Sequence, residues 1–436
     1  MAIKQRVLRE AAAMLGKIKN IDWTIVVILL MLAGICIPVI HSAVSSGSNA
    51  KMAGSETLMA VYYVLGFVAL FIITFVDYRL LVKYALYLYI FGIGVLMLVW
   101  SPLSSEGING ANGWIRVLGV SVQPAELFKL ILIIGIGAFL ARKQTAKLGF
   151  WRDVLPIVLV AVVPFMIVIA QNDLGNALCY AIILAALLWI GNIKYTHVLI
   201  FGVLAGGVLY GGITAYRSFR TEIEEFMKIH MPSQKHYLVR LDPILMPDAA
   251  GDSYHAERAL ESIASGGMLG KGYMAGDLSS KVPYTYADSI ITVIGEEFGF
   301  VGMAFLLLLY FILIHRMIVI ALECRDRSGP FIIVGIVAMF LYQIFENIGM
   351  NIGIMPITGI TLPFISYGGT SLLINMASMG IVMSIHVHNQ EVIKMEDRLQ
   401  TDHLDELGKE AEYKPRGFKW PSLGFGRARA SRDKSK

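Results

Sequence analysis

The run DWTIVVILLMLAGICIPVIHSA, residues 22–43, decides the fold of this chain. Its apolar core carries no charged side chain over Trp23–Ile40, and it approaches the ~20 residues that a helix needs to cross the hydrocarbon core of a bilayer. Similar segments recur in a sequence that is 56% hydrophobic and only 16% charged. Soluble domains average about 25% charged residues. The composition therefore indicates an integral membrane protein.

We predict an all-α integral membrane protein with about ten transmembrane helices. The assignment of a transmembrane helix is least certain near 285–300, because Asp288, Glu296 and Glu297 interrupt the apolar run there. The predicted organisation is an N-terminal tail over 1–21, a transmembrane domain over 22–388 and a C-terminal tail over 389–436. The predicted spans are 22–43, 57–76, 80–100, 124–141, 153–171, 175–192, 195–215, 299–320, 331–351 and 368–387.

Lysine and arginine are distributed unevenly between the two sets of loops. They are frequent in the N-terminal tail and in the loops near 79–83, 142–152 and 316–327, whereas the short loops on the opposite side hold only Lys51 and Arg116. Cytoplasmic loops carry the excess of positive charge. Both termini are therefore predicted to be cytoplasmic. The net charge of +5 lies mainly in the tails; it indicates contact with membrane lipids and no nucleic-acid partner.

The long polar stretch 216–288, between predicted helices 7 and 8, is then extracytoplasmic. A connection of this length is usually functional or disordered. It contains a glycine-rich run over 264–272 and closes on the segment KVPYTYAD, which ends at Asp288. We predict that it forms an ordered lid or active-site element at the membrane surface.

Ionisable residues inside predicted spans are costly and are candidates for function. Glu126 and Lys129 share one helical face, so they can pair; the pair either fixes helix packing or places Lys129 against an anionic substrate. Asp173 lies in a short turn, where it can cap the next helix or act in the site. Glu346 is predicted to face the bundle interior or a wet cavity.

Proline and glycine cluster over 355–371, in the run MPITGITLPFISYGGTS. Pro356 and Pro363 prevent a continuous helix. Irregular backbone at membrane depth persists only where it is buried in protein or lines a cavity. The run is therefore either a kinked turn or, as we favour, a re-entrant or cavity-lining segment.

Together these motifs resemble one family, the SEDS proteins of bacteria (RodA, FtsW and SpoVE), with a slight preference for the RodA branch. The resemblance covers about residues 20–390. Each motif is weak alone, but seven in the same order are specific. The matching stretches are NGANGWI at 109–115, QPAELFK at 123–129, QNDLG at 171–175, SGGMLGKG at 265–272, ADSIITVIGEEFG at 287–299, NIGMNIG at 347–353 and PITGITLPFISYGG at 356–369.

The resemblance implies a peptidoglycan glycosyltransferase. Such enzymes polymerise lipid II, a disaccharide-pentapeptide on undecaprenyl pyrophosphate, at the outer face of the bacterial cytoplasmic membrane, which is the location that the resemblance implies for this chain. The essential aspartate of the family falls on Asp288, which is then the general base for the attacking sugar hydroxyl. A class B penicillin-binding protein, the transpeptidase, is the implied protein partner.

The pyrophosphate leaving group calls for cations or backbone amides. For each residue proposed below to bind substrate, an ordinary structural role is the alternative. Glu296 and Glu297 are predicted to cap or line the next helix rather than to act on substrate. No metal-ligand spacing is present, no cofactor is assigned, and a divalent cation is left open. The candidates for substrate binding are Lys129, Glu126, Arg258, Lys271, Arg116, Ser265, Gly266 and Gly267.

The sequence departs from the family pattern near the predicted base. The usual His-Thr-Asp or His-Ser-Asp is Tyr286-Ala287-Asp288 here, and the usual Gln-Pro-Asp-Leu-Gly-Thr is QNDLGN over 171–176. Arg258 stands where the family has glutamine before the glycine-rich run, and Ala264 replaces a glycine. Two further hypotheses stay open. One is a flippase or transporter of the lipid-linked precursor, which ten helices and intramembrane charges suit but which would need its key charges near the midplane. The other is a non-catalytic scaffold for a transpeptidase, which the altered context of Asp288 slightly favours.

Overall fold

The computed structural model describes residues 17–45, 54–102, 113–117, 120–143, 147–230 and 254–412, together with Met52, Asp242 and Leu245. Much of the predicted tails and part of the NGANGWI motif lie outside these residues. The chain divides into two compact units, 1–389 and 390–436.

The described residues are mainly helical. The helices are α1 Trp23–Ser45, α2 Ser55–Phe75, α3 Tyr78–Lys83, α4 Ala85–Met97, α5 Pro124–Ala141, α6 Leu155–Ala170, α7 Leu174–Ile190, α8 Tyr195–Ser218, α9 Arg220–His230, α10 Tyr254–Ser265, α11 Ile290–Glu323, α12 Ser328–Asn351 and α13 Gly369–Glu412. A two-stranded hairpin, β1 Ile115–Val117 and β2 Val120–Val122, precedes α5.

Eight of the described helices are long and apolar enough to cross a bilayer, and two shorter apolar helices cover Ala85–Trp100 and Leu174–Ile190. Each predicted span overlaps one of these ten. The all-α membrane architecture is therefore confirmed, and the number of helices that cross the bilayer stays a prediction.

The interior of the bundle is built around α5, α12 and the first half of α13. Large apolar side chains such as Phe128, Phe340 and Met379 are buried there. By contrast, no residue of α8 is buried. A helix that is apolar all round and largely exposed is suited to a lipid environment.

The structure differs from the sequence prediction at the start of α11. This span was predicted over 299–320, but the helix begins at Ile290 and takes in Glu296 and Glu297, with a break at Gly299 (φ 63°, ψ −160°). Both carboxylate side chains have protein donors, as described below, and this permits their burial in a helix. The hairpin β1–β2, with Ile115 opposite Val122, was not predicted because its strands are too short to give a periodic signal.

The run over 355–371 is irregular up to Gly368, where α13 follows. Its residues are largely buried; Ile360, Leu362 and Ile365 belong to the hydrophobic core. The Ser366 hydroxyl accepts a hydrogen bond from the backbone N–H of Leu362 (2.8 Å). The prediction of non-helical backbone buried in protein is confirmed, and the segment brings Thr358 and Gly359 beside Asp288.

Candidate active site

A cavity of about 590 Å³ lies where several element ends converge. Its walls come from the hairpin, the first turns of α5 and α7, the loop before α11, the irregular segment and the first turn of α13. Its polar lining includes Ser121, Gln123, Glu126, Asn172, Asp173, Asn176, Asp288, Thr358, Thr361 and Ser371. A concave site with apolar walls and a few convergent polar groups is typical of ligand binding.

Asp288 lines this cavity and is 6% exposed. Its backbone carbonyl accepts hydrogen bonds from Asn347 Nδ2 (2.7 Å) and Asn351 Nδ2 (3.1 Å), which are one turn apart on α12. Asn347 Nδ2 also donates to the Ile360 carbonyl (2.7 Å). One amide therefore joins the Asp288 turn to the irregular segment, and this fixes both walls of the cavity.

Asn347 and Asn351 were part of a family motif in the sequence, but no role was predicted for them. Their spacing of one helical turn does place them on a common face. The sequence could not identify their common hydrogen-bond partner, because the Asp288 carbonyl is distant along the chain.

The residues before Asp288 are held in an uncommon conformation. Tyr284 has φ 55°, which is rare for a bulky side chain. The Tyr286 carbonyl accepts a hydrogen bond from the backbone N–H of Tyr367 (2.9 Å). Burial raises the pKa of the Tyr286 phenol above 10.0, and the nearby Tyr284, Asp288 and Tyr367 raise it further. The phenol is therefore a neutral hydrogen-bond donor at physiological pH.

Asp173 caps α7 and also lines the cavity. Its carboxylate accepts hydrogen bonds from the backbone N–H of Asn176 (3.1 Å), from Asn176 Nδ2 (2.9 Å) and from Gln123 Nε2 (2.7 Å). The predicted capping role is confirmed. Because Gln123 immediately precedes α5, the same carboxylate connects the starts of two helices at the cavity wall.

Glu126 and Lys129 form the ion pair that their spacing predicts, with Lys129 Nζ 2.8 Å from Glu126 Oε1. Lys129 is completely buried and Glu126 is 4% exposed. Glu126 is part of the cavity lining and Lys129 is not. The cation therefore lies behind the carboxylate, away from the cavity. Glu346 is also fully buried, as predicted, and accepts a hydrogen bond from Thr358 Oγ1 (2.8 Å).

The glycine-rich run packs against α11 rather than along the cavity. A Cβ at Gly266 would overlap the Gly295 carbonyl oxygen, so only glycine permits this approach. The backbone N–H groups of Lys271 and Gly272 donate to the carbonyls of Glu296 (2.9 Å) and Glu297 (3.0 Å). These contacts support the structural alternative for the run.

The other predicted substrate-binding residues do not line the described cavity. Lys271 Nζ pairs with Glu296 Oε1 at 2.6 Å. The Ser265 hydroxyl donates to the Ser262 carbonyl (2.8 Å). Arg258 lies on α10 and Arg116 is exposed on β1. The prediction that Arg258, Lys271, Arg116, Ser265, Gly266 and Gly267 contact substrate stays a prediction.

Glu296 and Glu297 have structural partners, in line with the predicted alternative to a catalytic role. Glu296 accepts hydrogen bonds from the backbone N–H groups of Asp277 (3.0 Å), Leu278 (3.0 Å) and Ser279 (2.6 Å). Glu297 accepts a hydrogen bond from the Ser42 hydroxyl of α1. Among the residues that the structure describes, no three histidine, cysteine, aspartate or glutamate side chains are grouped to hold a metal ion.

Comparison with known proteins gives one consistent family. Residues 22–391 match the FtsW, RodA and SpoVE family of cell cycle proteins. Stage V sporulation protein E of Bacillus subtilis is 29% identical over 84% of this chain and 96% of its own length. Peptidoglycan glycosyltransferase MrdB of Escherichia coli is 31% identical over 86% of this chain and 96% of its own.

Two solved structures share the fold. One is a chain from a peptidoglycan synthase complex that coordinates polymerization and crosslinking; it is 27% identical, covers 85% of this chain and 98% of its own, and gives a TM-score of 0.67. The other is the rod shape determining protein RodA of Thermus thermophilus, which is 25% identical over 85% of this chain and 97% of its own, with a TM-score of 0.60.

Proposed function

This chain belongs to the FtsW, RodA and SpoVE family of cell cycle proteins, and we propose that it is a peptidoglycan glycosyltransferase that polymerises lipid II with Asp288 as general base. Relatives bearing the name peptidoglycan glycosyltransferase include MrdB and several FtsW proteins. The single observation that carries the assignment of the base is that Asp288 borders the cavity of about 590 Å³ while its backbone is fixed by two asparagine side chains.

In the proposed reaction a sugar hydroxyl of one glycan attacks the anomeric carbon of another. The hydroxyl proton passes to the Asp288 carboxylate as the new glycosidic bond forms. The bond between the anomeric carbon and the pyrophosphate oxygen breaks, and the lipid pyrophosphate leaves with the electron pair. Because this leaving group is already good, one carboxylate suffices, unlike hydrolysis by a pair of carboxylates.

The pair of Glu126 and Lys129 is part of the proposed substrate site. Glu126 is the member that reaches the cavity, and Lys129 balances its charge from behind. Lys129 therefore acts through Glu126, by fixing the position of its carboxylate. The proposed ligands of Glu126 are hydroxyl or amide donors of the substrate, since carboxylate oxygens accept hydrogen bonds.

The protein is a multi-pass membrane protein, and we propose that both termini are cytoplasmic, with the cavity open to the outer face. A class B penicillin-binding protein is the proposed partner, since one structural relative is part of a peptidoglycan synthase complex. Cysteines at Lys281 and Gln400, in a Cys324→Ser background, test the topology. An impermeant thiol reagent should label Lys281→Cys on intact cells and leave Gln400→Cys unlabelled; the opposite pattern contradicts the topology.

The direct test of the function is polymerisation of lipid II by the purified protein in liposomes, alone and with its transpeptidase partner. The wild-type protein should produce glycan strands, and Asp288→Asn should reduce the rate by roughly 10²–10⁴-fold, the usual contribution of a general base. Asp277→Asn is the matched control, because Asp277 is exposed on the same loop outside the cavity lining. A wild-type protein that forms no strands under either condition contradicts the enzymatic proposal and favours the scaffold.

A further inference from the structure

Tyrosine side chains gather on one side of the cavity, next to Asp288. Tyr284, Tyr286 and Tyr367 all line it and are called the tyrosine wall below. The rings of Tyr284 and Tyr286 are 6.5 Å apart between centroids, and those of Tyr286 and Tyr367 are 6.0 Å apart, with interplanar angles of 64° and 66°. The three rings therefore form one continuous edge-to-face row, a favourable arrangement for aromatic groups.

Tyr284 is the most informative member of this row. Its side chain is 41% exposed although its ring lines a cavity, and its backbone has φ 55°. A left-handed conformation is unfavourable for a large side chain. Residues held in this way concentrate at ligand-binding and active sites, where the surrounding structure maintains them.

Two ordinary explanations fit these tyrosines poorly. A tyrosine that serves the core is buried, as Tyr180 is, with its hydroxyl bonded to the Ala125 carbonyl (2.8 Å). A tyrosine that anchors a protein in the headgroup region faces lipid, as the 70% exposed Tyr87 of α4 can. The tyrosine wall instead lines a cavity whose polar lining includes Asp173 and Asn176.

The aromatic and the polar parts of the cavity lining suit the two kinds of surface on a sugar ring. A pyranose presents axial C–H bonds on its faces, and these bonds are attracted to the negative face of an aromatic ring. Its hydroxyl and amide groups lie around the rim, where carboxylate and amide side chains can bond them. The neutral phenol of Tyr286, whose pKa is raised by burial, adds a donor beside Asp288.

We infer that the tyrosine wall binds a pyranose ring of the acceptor glycan and holds its attacking hydroxyl towards Asp288. This inference rests on the proposed function, because it takes the acceptor to be a glycan. It assigns a sugar-binding role to Tyr286, the residue that replaces the histidine usual in the family. Acceptor affinity in this chain then comes from stacking as well as from hydrogen bonds.

The test measures sugar binding without catalysis. The probe is chitotetraose, a soluble chain of N-acetylglucosamine, bound to the Asp288→Asn protein in detergent and followed by saturation-transfer NMR. Tyr286→Leu and Tyr284→Asn should each weaken the affinity by roughly three- to tenfold, the range expected for one aromatic contact. Tyr286→Phe should weaken it less than Tyr286→Leu, because stacking is retained.

Two controls separate binding from folding. Tyr87→Leu removes an exposed tyrosine that does not line the cavity, and it should leave chitotetraose binding unchanged. Asparagine accepts the left-handed conformation better than tyrosine, so Tyr284→Asn should unfold at the wild-type temperature or above it while its affinity falls.

Several results would overturn the inference: no chitotetraose binding to Asp288→Asn at millimolar concentration, equal affinity in the wall variants and in Tyr87→Leu, or loss of affinity only in variants that also unfold early. Failure of the proposed function is a separate result, since it would be seen as polymerisation that is absent in the wild-type protein or unaffected by Asp288→Asn. The binding measurement does not depend on that assay.

Discussion

Two carboxylates in the same stretch of sequence, Asp288 and Glu296, lie in contrasting surroundings. Glu296 is fully buried, and its oxygens accept three backbone N–H groups and the ammonium of Lys271. Asp288 borders a cavity of about 590 Å³, and its backbone carbonyl accepts hydrogen bonds from Asn347 and Asn351. Protein donors therefore bind the Glu296 carboxylate, and two asparagine side chains fix the backbone of Asp288 beside the cavity.

Under the proposed function, this difference distinguishes a structural carboxylate, Glu296, from the proposed base, Asp288. A carboxylate that receives several protein donors is stabilised as an anion. The Glu296 carboxylate is of this kind, and its hydrogen bonds hold the loop 277–279 against α11. A carboxylate that must accept a substrate proton has to be positioned while its oxygens remain accessible to the ligand. The buried pair of Glu126 and Lys129 is intermediate, since one member of the pair borders the cavity.

The largest expected effect on stability is at Glu296. Glu296→Ala leaves Lys271 without its partner and three backbone N–H groups without their acceptor, so we expect a loss of roughly 3–5 kcal/mol. Thermal unfolding of the purified protein in detergent measures it. The control is Glu257→Ala, an exposed glutamate on α10. Equal unfolding temperatures for the two variants would break the contrast between Glu296 and Asp288.

The buried pair should show strong coupling. Lys129→Met leaves a buried unpaired carboxylate and should destabilise the protein by roughly 3–5 kcal/mol. The double variant Glu126→Gln, Lys129→Met has no such charge, so it should recover part of that loss. A double-mutant cycle on unfolding temperature checks this, with lipid II binding measured beside it. Strictly additive effects of the two substitutions on unfolding temperature would show that Glu126 and Lys129 do not interact.

A smaller effect is expected at the two asparagines, and it should be unequal. Asn347→Leu removes the side-chain donor of the Ile360 carbonyl, at a cost of about 1–3 kcal/mol, and it leaves the Asp288 carbonyl with only the longer hydrogen bond from Asn351 (3.1 Å). Asn351→Leu leaves Asp288 with its shorter hydrogen bond from Asn347. Polymerisation rate and unfolding temperature should therefore both fall more for Asn347→Leu. The reverse order would mean that Asn351 is the main support of the base.

The smallest expected effect is a loss of stability at alkaline pH that depends on Tyr286. Burial raises the pKa of this phenol in the folded protein above the 10.0 of an exposed tyrosine. The resulting stability is fully present below pH 10 and declines as pH rises through the folded pKa, because the unfolded chain loses its proton first. The stability difference between wild type and Tyr286→Phe should therefore be constant from pH 7 to about 9 and shrink above pH 10. A difference that shifts between pH 7 and 9 contradicts this.

The sequence predicted most of the fold, because a long apolar run identifies a membrane helix without information about its neighbours. It also predicted the ion pair of Glu126 with Lys129 and the cap at Asp173, since both depend on spacing within one helix. It did not reveal that the glycine-rich run packs against Gly295, or that Lys271 pairs with Glu296. Those contacts join segments that are distant along the chain, and a cationic glycine-rich loop has the same composition whether it holds phosphate or a helix.

The most direct test of the central claim compares Asp288→Asn with Glu296→Gln in one preparation, measuring both unfolding temperature and the rate of lipid II polymerisation per folded molecule. We expect Asp288→Asn to unfold within about 2 °C of wild type while its rate falls by roughly 10²–10⁴-fold. Glu296→Gln should unfold clearly earlier while its folded molecules still polymerise. An active Asp288→Asn protein, or a stable Glu296→Gln protein that has lost polymerisation, would contradict the claim that Asp288 is the base and Glu296 the structural carboxylate.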